Sequence, residues 1–196
     1  LSLRRQRQMC IRDRDVAYYQ SAIYYTYDDD IGKDTGASFD DDWGSTVPTG
    51  ATNLQSGVPH PLEVGGDDIL YIGNKNYVTT YDGTTDTLTE KGLDLPNNAE
   101  IQDIKWNSNR LWIAANQPDV ADSRVIGSIY VWDGVSPSWE DEIRIAGRIG
   151  GMYVKNGITF VFYQDPSSTG GYKLGYINGT QISELASFTG SLPQYY

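Results

Sequence analysis

Two acidic runs near the start of the chain carry the residues best suited to hold a metal ion. The first, DDDIGKD, spans 28–34, and the second, FDDDW, spans 39–43. Hard cations such as Ca²⁺ prefer several carboxylate and carbonyl oxygens on a turn that glycine can close. Asp28, Asp30 and Asp34 are therefore candidate Ca²⁺ ligands. The run lacks the D-x-[DN]-x-[DN]-G order and the later Glu of calcium loops, and a solvated acidic loop is the competing interpretation.

The single histidine is the next residue with catalytic chemistry. His60 stands between two prolines in the run VPHPL. A serine triad needs a histidine beside a nucleophile, and no Gly-x-Ser-x-Gly motif occurs in the sequence. We therefore predict that His60 packs or hydrogen-bonds between structural repeats. Two carboxylates could serve a glycosidase, but 26 acidic residues make any one pair uninformative. We assign no catalytic residue and expect no enzyme.

The elements that must position these residues follow a pattern that recurs about every 45 residues. The second strand of each copy is predicted to begin at Ala22, Ile69, Leu111 and Ile158, with spacings of 47, 42 and 47. A period of this length is typical of propellers and solenoids. The clearest copy reads EIQDIKW, RLWIAAN, SIYVW and SWEDEIRI within residues 99–145. Each of these runs has the composition of a strand.

A turn dipeptide follows the predicted third strand in three of the copies. The dipeptides are Asp82-Gly83, Asp133-Gly134 and Asn178-Gly179. Such dipeptides are strong signals for tight hairpins, because both residues accept positive φ. Four antiparallel strands per copy, with no amphipathic helix between them, predict an all-β fold. The expected architecture is a β-propeller fragment of about four four-stranded antiparallel blades. A β-sandwich is the alternative, but it would not repeat at this period.

The predicted blades cover approximately residues 15–57, 58–97, 98–147 and 148–196. Second strands such as ITFVFY are apolar almost throughout, which is typical of strands buried on both faces. We therefore expect the aromatic residues to pack between blades. These are Tyr71, Tyr81, Trp106, Trp112, Trp132, Phe160 and Phe162. Four blades are few for a closed ring, so the two outer blades should expose faces that an intact propeller covers.

The connections between second and third strands vary most in length, and insertions on one face of a propeller often mark its binding face. The shortest connection is 73–76, whereas 116–127 and 164–171 are long. Length-tolerant surface loops are the competing interpretation. The residues we predict for partner binding in the two long loops are Asp119, Asp122, Arg124, Asp165, Ser167 and Ser168.

The first residues differ in composition from the rest of the chain. The stretch RRQRQMCIRD, residues 4–13, resembles the translation of an adapter used to build sequencing libraries, and residues 1–14 are set aside as a non-native segment. They hold five of the 15 Lys and Arg, one of the 26 Asp and Glu, and the only Cys, so the remaining net charge is −15. Such a surface repels phosphates, which excludes nucleic acid as a partner. SLPQYY at the other end is expected to be a truncation point.

Several short runs together resemble one group of proteins. They are GVPHP, GGDDILYIGN, YDGTT, LDLP, RLWIAAN, IYVWDG, YVKNG, FYQD, STGGYKL and TGSLP. Over residues 22–196 they are similar to uncharacterised β-propeller-like repeat proteins of tailed phages and environmental viruses. The resemblance implies a propeller and an association with virus particles. That group has no assigned catalytic residue, so the resemblance supplies none here.

These observations favour a non-enzymatic phage virion or tail-associated propeller that serves as a protein-interaction platform. Its partners would be other virion proteins, its location the virion or the extracellular space, and its only cofactor a possible Ca²⁺. No apolar run reaches the 18 residues of a membrane span, so no membrane partner is expected. The alternatives are a secreted propeller that binds or hydrolyses glycans, and a bacterial scaffold protein.

Overall fold

A computed structural model of the chain describes residues 15–118, 125–164 and 171–189. These residues form four antiparallel sheets, and each strand pairs with the next one along the chain. The first sheet contains β1 (Val16–Tyr19), β2 (Ala22–Tyr27), β3 (Asp30–Asp34) and β4 (Phe39–Asp40), and the second contains β5 (Leu62–Val64), β6 (Leu70–Asn74), β7 (Tyr77–Asp82) and β8 (Thr87–Asp94). The third contains β9 (Glu100–Asn107), β10 (Arg110–Pro118), β11 (Val125–Trp132) and β12 (Asp141–Ala146), and the fourth contains β13 (Ile149–Lys155), β14 (Ile158–Gln164), β15 (Gly171–Asn178) and β16 (Gln181–Thr189).

The four sheets pack in series around their first strands. Strand β1 contacts β5, β5 contacts β9, and β9 contacts β13. Because β6 and β10 also contact the first strand of the next sheet, each sheet covers a face of its neighbour. This is the arrangement of propeller blades, so the predicted all-β propeller of four four-stranded blades is confirmed. Each second strand begins within one residue of its predicted start. Among the described residues, the only helical element is one turn, Trp43–Thr46.

Each junction between successive sheets holds its own hydrophobic cluster. Tyr24 and Tyr81 belong to the cluster between the first and second sheets. Tyr71 and Trp132 belong to the one between the second and third sheets. The third cluster joins residues of β10, β11 and β12 to Ile149 and other residues of the fourth sheet. Burying one such large side chain contributes about 1.5–3 kcal/mol, so the array depends on these junctions.

An aromatic side chain recurs three residues after the turn that joins the first and second strands of each sheet. Tyr24 lies 5.7 Å from Tyr81 of the second sheet, measured between ring centroids. Tyr71 stacks on Trp106 of the third sheet, also at 5.7 Å. Trp112 packs against the cluster between the third and fourth sheets. The predicted packing between blades is therefore confirmed for five residues: Tyr71, Tyr81, Trp106, Trp112 and Trp132, which meets Tyr71 edge-on.

Phe160 and Phe162 do not follow the prediction. They alternate along β14 with Val161, which faces the third sheet, so they lie on the opposite face of the fourth sheet. There the Phe162 ring contacts Tyr172 and Phe188 of its own sheet. The continuous apolar run ITFVFY predicted burial on both faces, but the described residues cover only one of them.

Two of the three predicted tight hairpins are longer loops. β7 ends at Asp82 and β8 begins at Thr87, while β11 and β12 are separated by residues 133–140. In the second loop the Asp133 carboxylate accepts hydrogen bonds from the side chain and backbone of Ser136. These bonds lower the pKa of Asp133 to about 2. An Asp side chain that bonds to the backbone ahead of it stabilises a turn by itself, so the Asp-Gly dipeptide does not require the two-residue form.

Polar side chains also fasten the sheets together. The Asn116 amide donates to the backbone carbonyl of Ile149 at 3.0 Å and accepts from its N–H at 2.8 Å. His60 has its ring nitrogens within 3.1 Å of the carbonyls of Asp28, Gln55 and Gly73. The predicted hydrogen-bonding role of His60 between repeats is confirmed, because Asp28 belongs to the first repeat and Gly73 to the second.

We predict that Asn116→Ala lowers the free energy of unfolding by about 2–4 kcal/mol. The substitution leaves two buried backbone groups of Ile149 without partners, and each costs about 1–3 kcal/mol. Urea unfolding followed by tryptophan fluorescence measures the change. The exposed Asn98 provides a matched control, Asn98→Ala, for which a change within about 0.5 kcal/mol is expected. Equal effects of the two variants would contradict a fastening role for Asn116.

Candidate functional site

The predicted loop site lies outside the part of the chain that the structure describes. Asp119, Asp122 and Arg124 belong to the connection between β10 and β11, and Asp165, Ser167 and Ser168 to the connection between β14 and β15. These six residues stay predictions.

The structure does not assemble the predicted calcium site. Asp30 and Asp34 lie on the same strand, β3, four residues apart, which corresponds to about 13 Å. The Asp30 carboxylate accepts hydrogen bonds from the Ser45 hydroxyl and the Ile31 N–H, and Asp34 accepts from the Gly36 N–H. Within residues 15–118, 125–164 and 171–189, no three His, Cys, Asp or Glu side chains are grouped to hold a metal. The structure thus does not bring Asp28, Asp30 and Asp34 together, because Asp30 and Asp34 lie at the two ends of an extended strand.

A different set of charged residues meets where the first strands adjoin. We call Asp15, Glu63, Asp103 and Lys105 the axial cluster. Each of its three carboxylates accepts a hydrogen bond from a backbone N–H of the next sheet, and we call these bonds the axial latches. The partners are Leu62 for Asp15 at 2.9 Å, Trp106 for Glu63 at 3.1 Å, and Met152 for Asp103 at 2.6 Å.

The axial latches partly follow the repeat. Asp15 and Asp103 occupy equivalent positions, since Asp15 pairs with Thr26 and Asp103 with Ala114, each two residues beyond the recurring aromatic. The equivalent position in the second sheet is Pro61, whose carbonyl accepts a hydrogen bond from the Gly73 N–H. The axial latch of this sheet comes instead from Glu63, two residues later. In the fourth sheet the equivalent residue is Gly151, which has no carboxylate to offer to a further sheet.

Lys105 balances the charge of two of these carboxylates. Its ammonium nitrogen lies 2.8 Å from Asp103 Oδ1 and 3.9 Å from Glu63 Oε2. Burial raises the pKa of both Asp103 and Glu63, although Lys105 acts in the opposite direction. Burial alone would lower the pKa of Lys105, but the nearby Asp103 and Glu63 outweigh it and the pKa is raised. The three side chains therefore depend on one another for their charged forms.

The chemistry available to the axial cluster is limited by its hydrogen bonds. The Asp103 and Glu63 side chains are 16% and 26% exposed, so solvent can reach them. A carboxyl group with a raised pKa can act as a general acid. One oxygen of each group, however, is occupied by a backbone N–H of the next sheet. The geometry thus favours joining the sheets over proton transfer to a substrate.

The second notable surface is the uncovered face of the fourth sheet, which we call the trailing face. It carries the aromatic and apolar side chains that alternate with those facing the third sheet. Tyr153 and Phe188 on this face are 62% and 49% exposed. Phe160, Phe162 and Leu174 line a shallow depression of about 260 Å³ beside two glycines of β13. Phe160 stands three residues after the turn, where the three other sheets place an aromatic against the next sheet.

The opposite end of the array has an uncovered face as well, which we call the leading face. Tyr18 and Val16 of β1 are 71% and 63% exposed, and Phe39 of β4 is 53% exposed. Tyr25 stacks on Phe39 at 5.5 Å between ring centroids. Contiguous exposed apolar surface of this kind marks contact sites or missing neighbours.

Comparisons with known proteins support the fold. The chain is similar to an α-L-arabinofuranosidase from Clostridium thermocellum, with a TM-score of 0.54, 12% identity, and coverage of 93% of this chain and 74% of that one. It also aligns with the N-terminal domain of Nup159, with a TM-score of 0.46, 12% identity, and coverage of 89% of this chain and 48% of that domain. No family model and no curated protein matches the sequence. At 12% identity the first similarity shows the propeller fold and nothing about substrates.

Sequence reasoning missed both the axial cluster and its role. The alternation of charged and apolar residues in EIQDIKW was visible, and it placed Asp103 and Lys105 on one face of β9. The pattern did not reveal that this face meets β13 of the next sheet.

Among the described residues, no helix is long and apolar enough to cross a membrane.

We predict that Lys105→Met lowers the free energy of unfolding by about 1–3 kcal/mol near neutral pH. The loss is smaller than the roughly 3–5 kcal/mol of a fully buried pair because these side chains keep some contact with solvent. The folded-state pKa values of Asp103 and Glu63 are raised, so the two acids become protonated as the pH falls and need the cation less. The difference from the parent protein should therefore shrink between about pH 8 and pH 4.

Urea unfolding at several pH values measures this dependence. The exposed Lys155 gives the control Lys155→Met, for which little change is expected at any pH. A pH-independent loss in Lys105→Met would show that the lysine acts by packing alone.

Proposed function

We propose that this protein is a non-enzymatic propeller of a phage virion or tail, where it serves as a platform for contacts with other virion proteins. Its place is on the particle or in the extracellular space. The observation that carries the platform role is the trailing face, on which the exposed Tyr153 and the half-buried Phe160 and Phe162 occupy positions that elsewhere receive the next sheet. Aromatic residues in such settings are common at the centre of protein interfaces.

The chemistry of the axial cluster supports the same proposal. Asp15, Glu63 and Asp103 are engaged in joining sheets, which is what a rigid scaffold requires. The net charge of −11 argues against a phosphate-backbone partner. The association with virus particles itself rests on the resemblance of the short runs to phage and environmental-virus propellers.

Proteomics of purified particles tests the virion role. We expect tryptic peptides of this chain, such as residues 125–144, to sediment with capsid peptides when particles from the source community are separated on a density gradient. A cytosolic host protein serves as the contamination control. Detection of the chain only in fractions without particles would contradict the proposal.

A glycan-hydrolysing propeller is the second candidate. It is favoured by Glu63 and Asp103, two partly exposed carboxyl groups that lie near one lysine and have raised pKa values. In this case one group would act as general acid and the other as a base or nucleophile.

A panel of aryl glycosides separates the two candidates. The hydrolase candidate requires measurable turnover that falls by about 10²–10⁴-fold in Glu63→Gln. This variant keeps the Glu63 Oε1 acceptor for the Trp106 N–H and so preserves the latch. The exposed Asp94 gives the control Asp94→Asn. Absence of turnover on the whole panel would leave the platform proposal as the better account.

A further inference from the structure

We propose that the trailing face of one molecule binds the leading face of a second copy of this chain, so that two arrays join head to tail. This inference rests on the proposed platform function and names the partner of its surface.

The trailing face and the leading face reproduce the two sides of the internal junctions between sheets. In each of those, the face of one sheet that carries the recurring aromatic covers the opposite face of the next sheet. The trailing face carries Phe160 at the same position as Tyr24, Tyr71 and Trp112. The leading face is the face of the first sheet opposite to Tyr24. In the second sheet, the equivalent face packs against the first sheet. A head-to-tail contact therefore repeats a geometry that the molecule already uses three times.

One pair of positions predicts a specific contact between the two copies. At the second junction Glu63 of β5 reaches Trp106 of β9. Glu63 pairs across its sheet with the recurring aromatic Tyr71, as Tyr153 does with Phe160. Trp106 pairs with the residue before the recurring aromatic, as Tyr18 does with Ile23. The equivalent contact between copies would therefore join Tyr153 to Tyr18, which are 62% and 71% exposed.

The first and fourth repeats carry opposite formal charges. Residues 15–57 hold eight Asp and one Lys, for a formal charge of −7, whereas residues 148–196 hold two Lys and one Arg against Asp165 and Glu184, for a charge of +1. The second and third repeats carry −5 and −4. The fourth repeat is thus the only positive one, and contact between two first repeats would bring like charges together. The electrostatics favour head-to-tail over head-to-head pairing.

The expected product is a closed pair of molecules. Head-to-tail contacts form a ring when the rotation closes and a filament when it does not. Two arrays of four sheets make eight, which lies within the usual range of about four to eight blades. A ring of two copies would cover both faces of every sheet.

Light scattering coupled to size-exclusion chromatography tests the association on the full chain. We expect twice the chain mass of 21.8 kDa, with a dissociation constant that rises on the order of 30-fold in Phe162→Asp, as for loss of an interface hot spot. Phe162→Arg should weaken the dimer less, because the first repeat carries a formal charge of −7. Added salt should weaken association between opposite charges. The 86% exposed Val135 lies in the loop after β11, and Val135→Asp is the control for a new surface charge.

Disulfide trapping tests the geometry. In a Cys10→Ser background, the double variant Tyr18→Cys and Tyr153→Cys should form a covalent dimer on mild oxidation. Each single variant should stay monomeric on a non-reducing gel, because a head-to-tail contact never places two equivalent residues together. Cross-linking of the single variants to the same extent would overturn the head-to-tail arrangement.

A monomeric mass with native far-UV circular dichroism would also overturn self-association. That result would assign the two faces to further sheets of a longer polypeptide or to a different protein. It would leave the virion proposal standing, since particle proteomics tests that proposal separately. Conversely, if the chain forms a dimer but is absent from purified particles, the proposed function is contradicted and the head-to-tail contact is supported.

Discussion

The structure depends on the fact that each sheet presents apolar side chains on both of its faces. A single four-stranded sheet of this kind cannot bury either face by itself, so its stability comes from the neighbours on the two sides. The clusters around Tyr24, Tyr71 and Trp112 each fill one junction. Every sheet needs two junctions and the described array has three, so two faces are left over. Tyr18 and Tyr153 lie on these two remaining faces and are therefore exposed.

Polar groups decide how the sheets are placed relative to one another. Apolar packing is non-directional, whereas the axial latches join named atoms of successive first strands, and the Asn116 amide joins β10 to Ile149 of the next sheet. Unpaired buried backbone groups are costly, so these bonds restrict sliding of one sheet over the next. The charge of Lys105 makes the latches from Asp103 and Glu63 compatible with partial burial. The axial cluster, which resembles an active site more than any other described group of residues, therefore also joins the sheets.

The sequence predicted the sheets better than it predicted what joins them. Alternation and turn residues gave the strand positions because both are local properties of the chain. The hairpin type after Asp82 and Asp133 was wrong, because side-chain hydrogen bonds to the backbone compete with the tight turn. The acidic run 28–34 does not form a loop around one point, because most of it, Asp30–Asp34, is an extended strand. Neither Glu63 nor Asp103 could be singled out among so many carboxylates without knowing which strands are neighbours.

The sequence by itself determined the period, the four strands per copy and the charge gradient from the first repeat to the last, since these are properties of residue order alone. Only the tertiary structure decided which face of each strand meets a neighbour. That choice depends on contacts between residues more than forty positions apart, such as Glu63 with Trp106. It placed Phe160 and Phe162, which the sequence predicted in the core, half-buried on the face of the fourth sheet that no other described sheet covers.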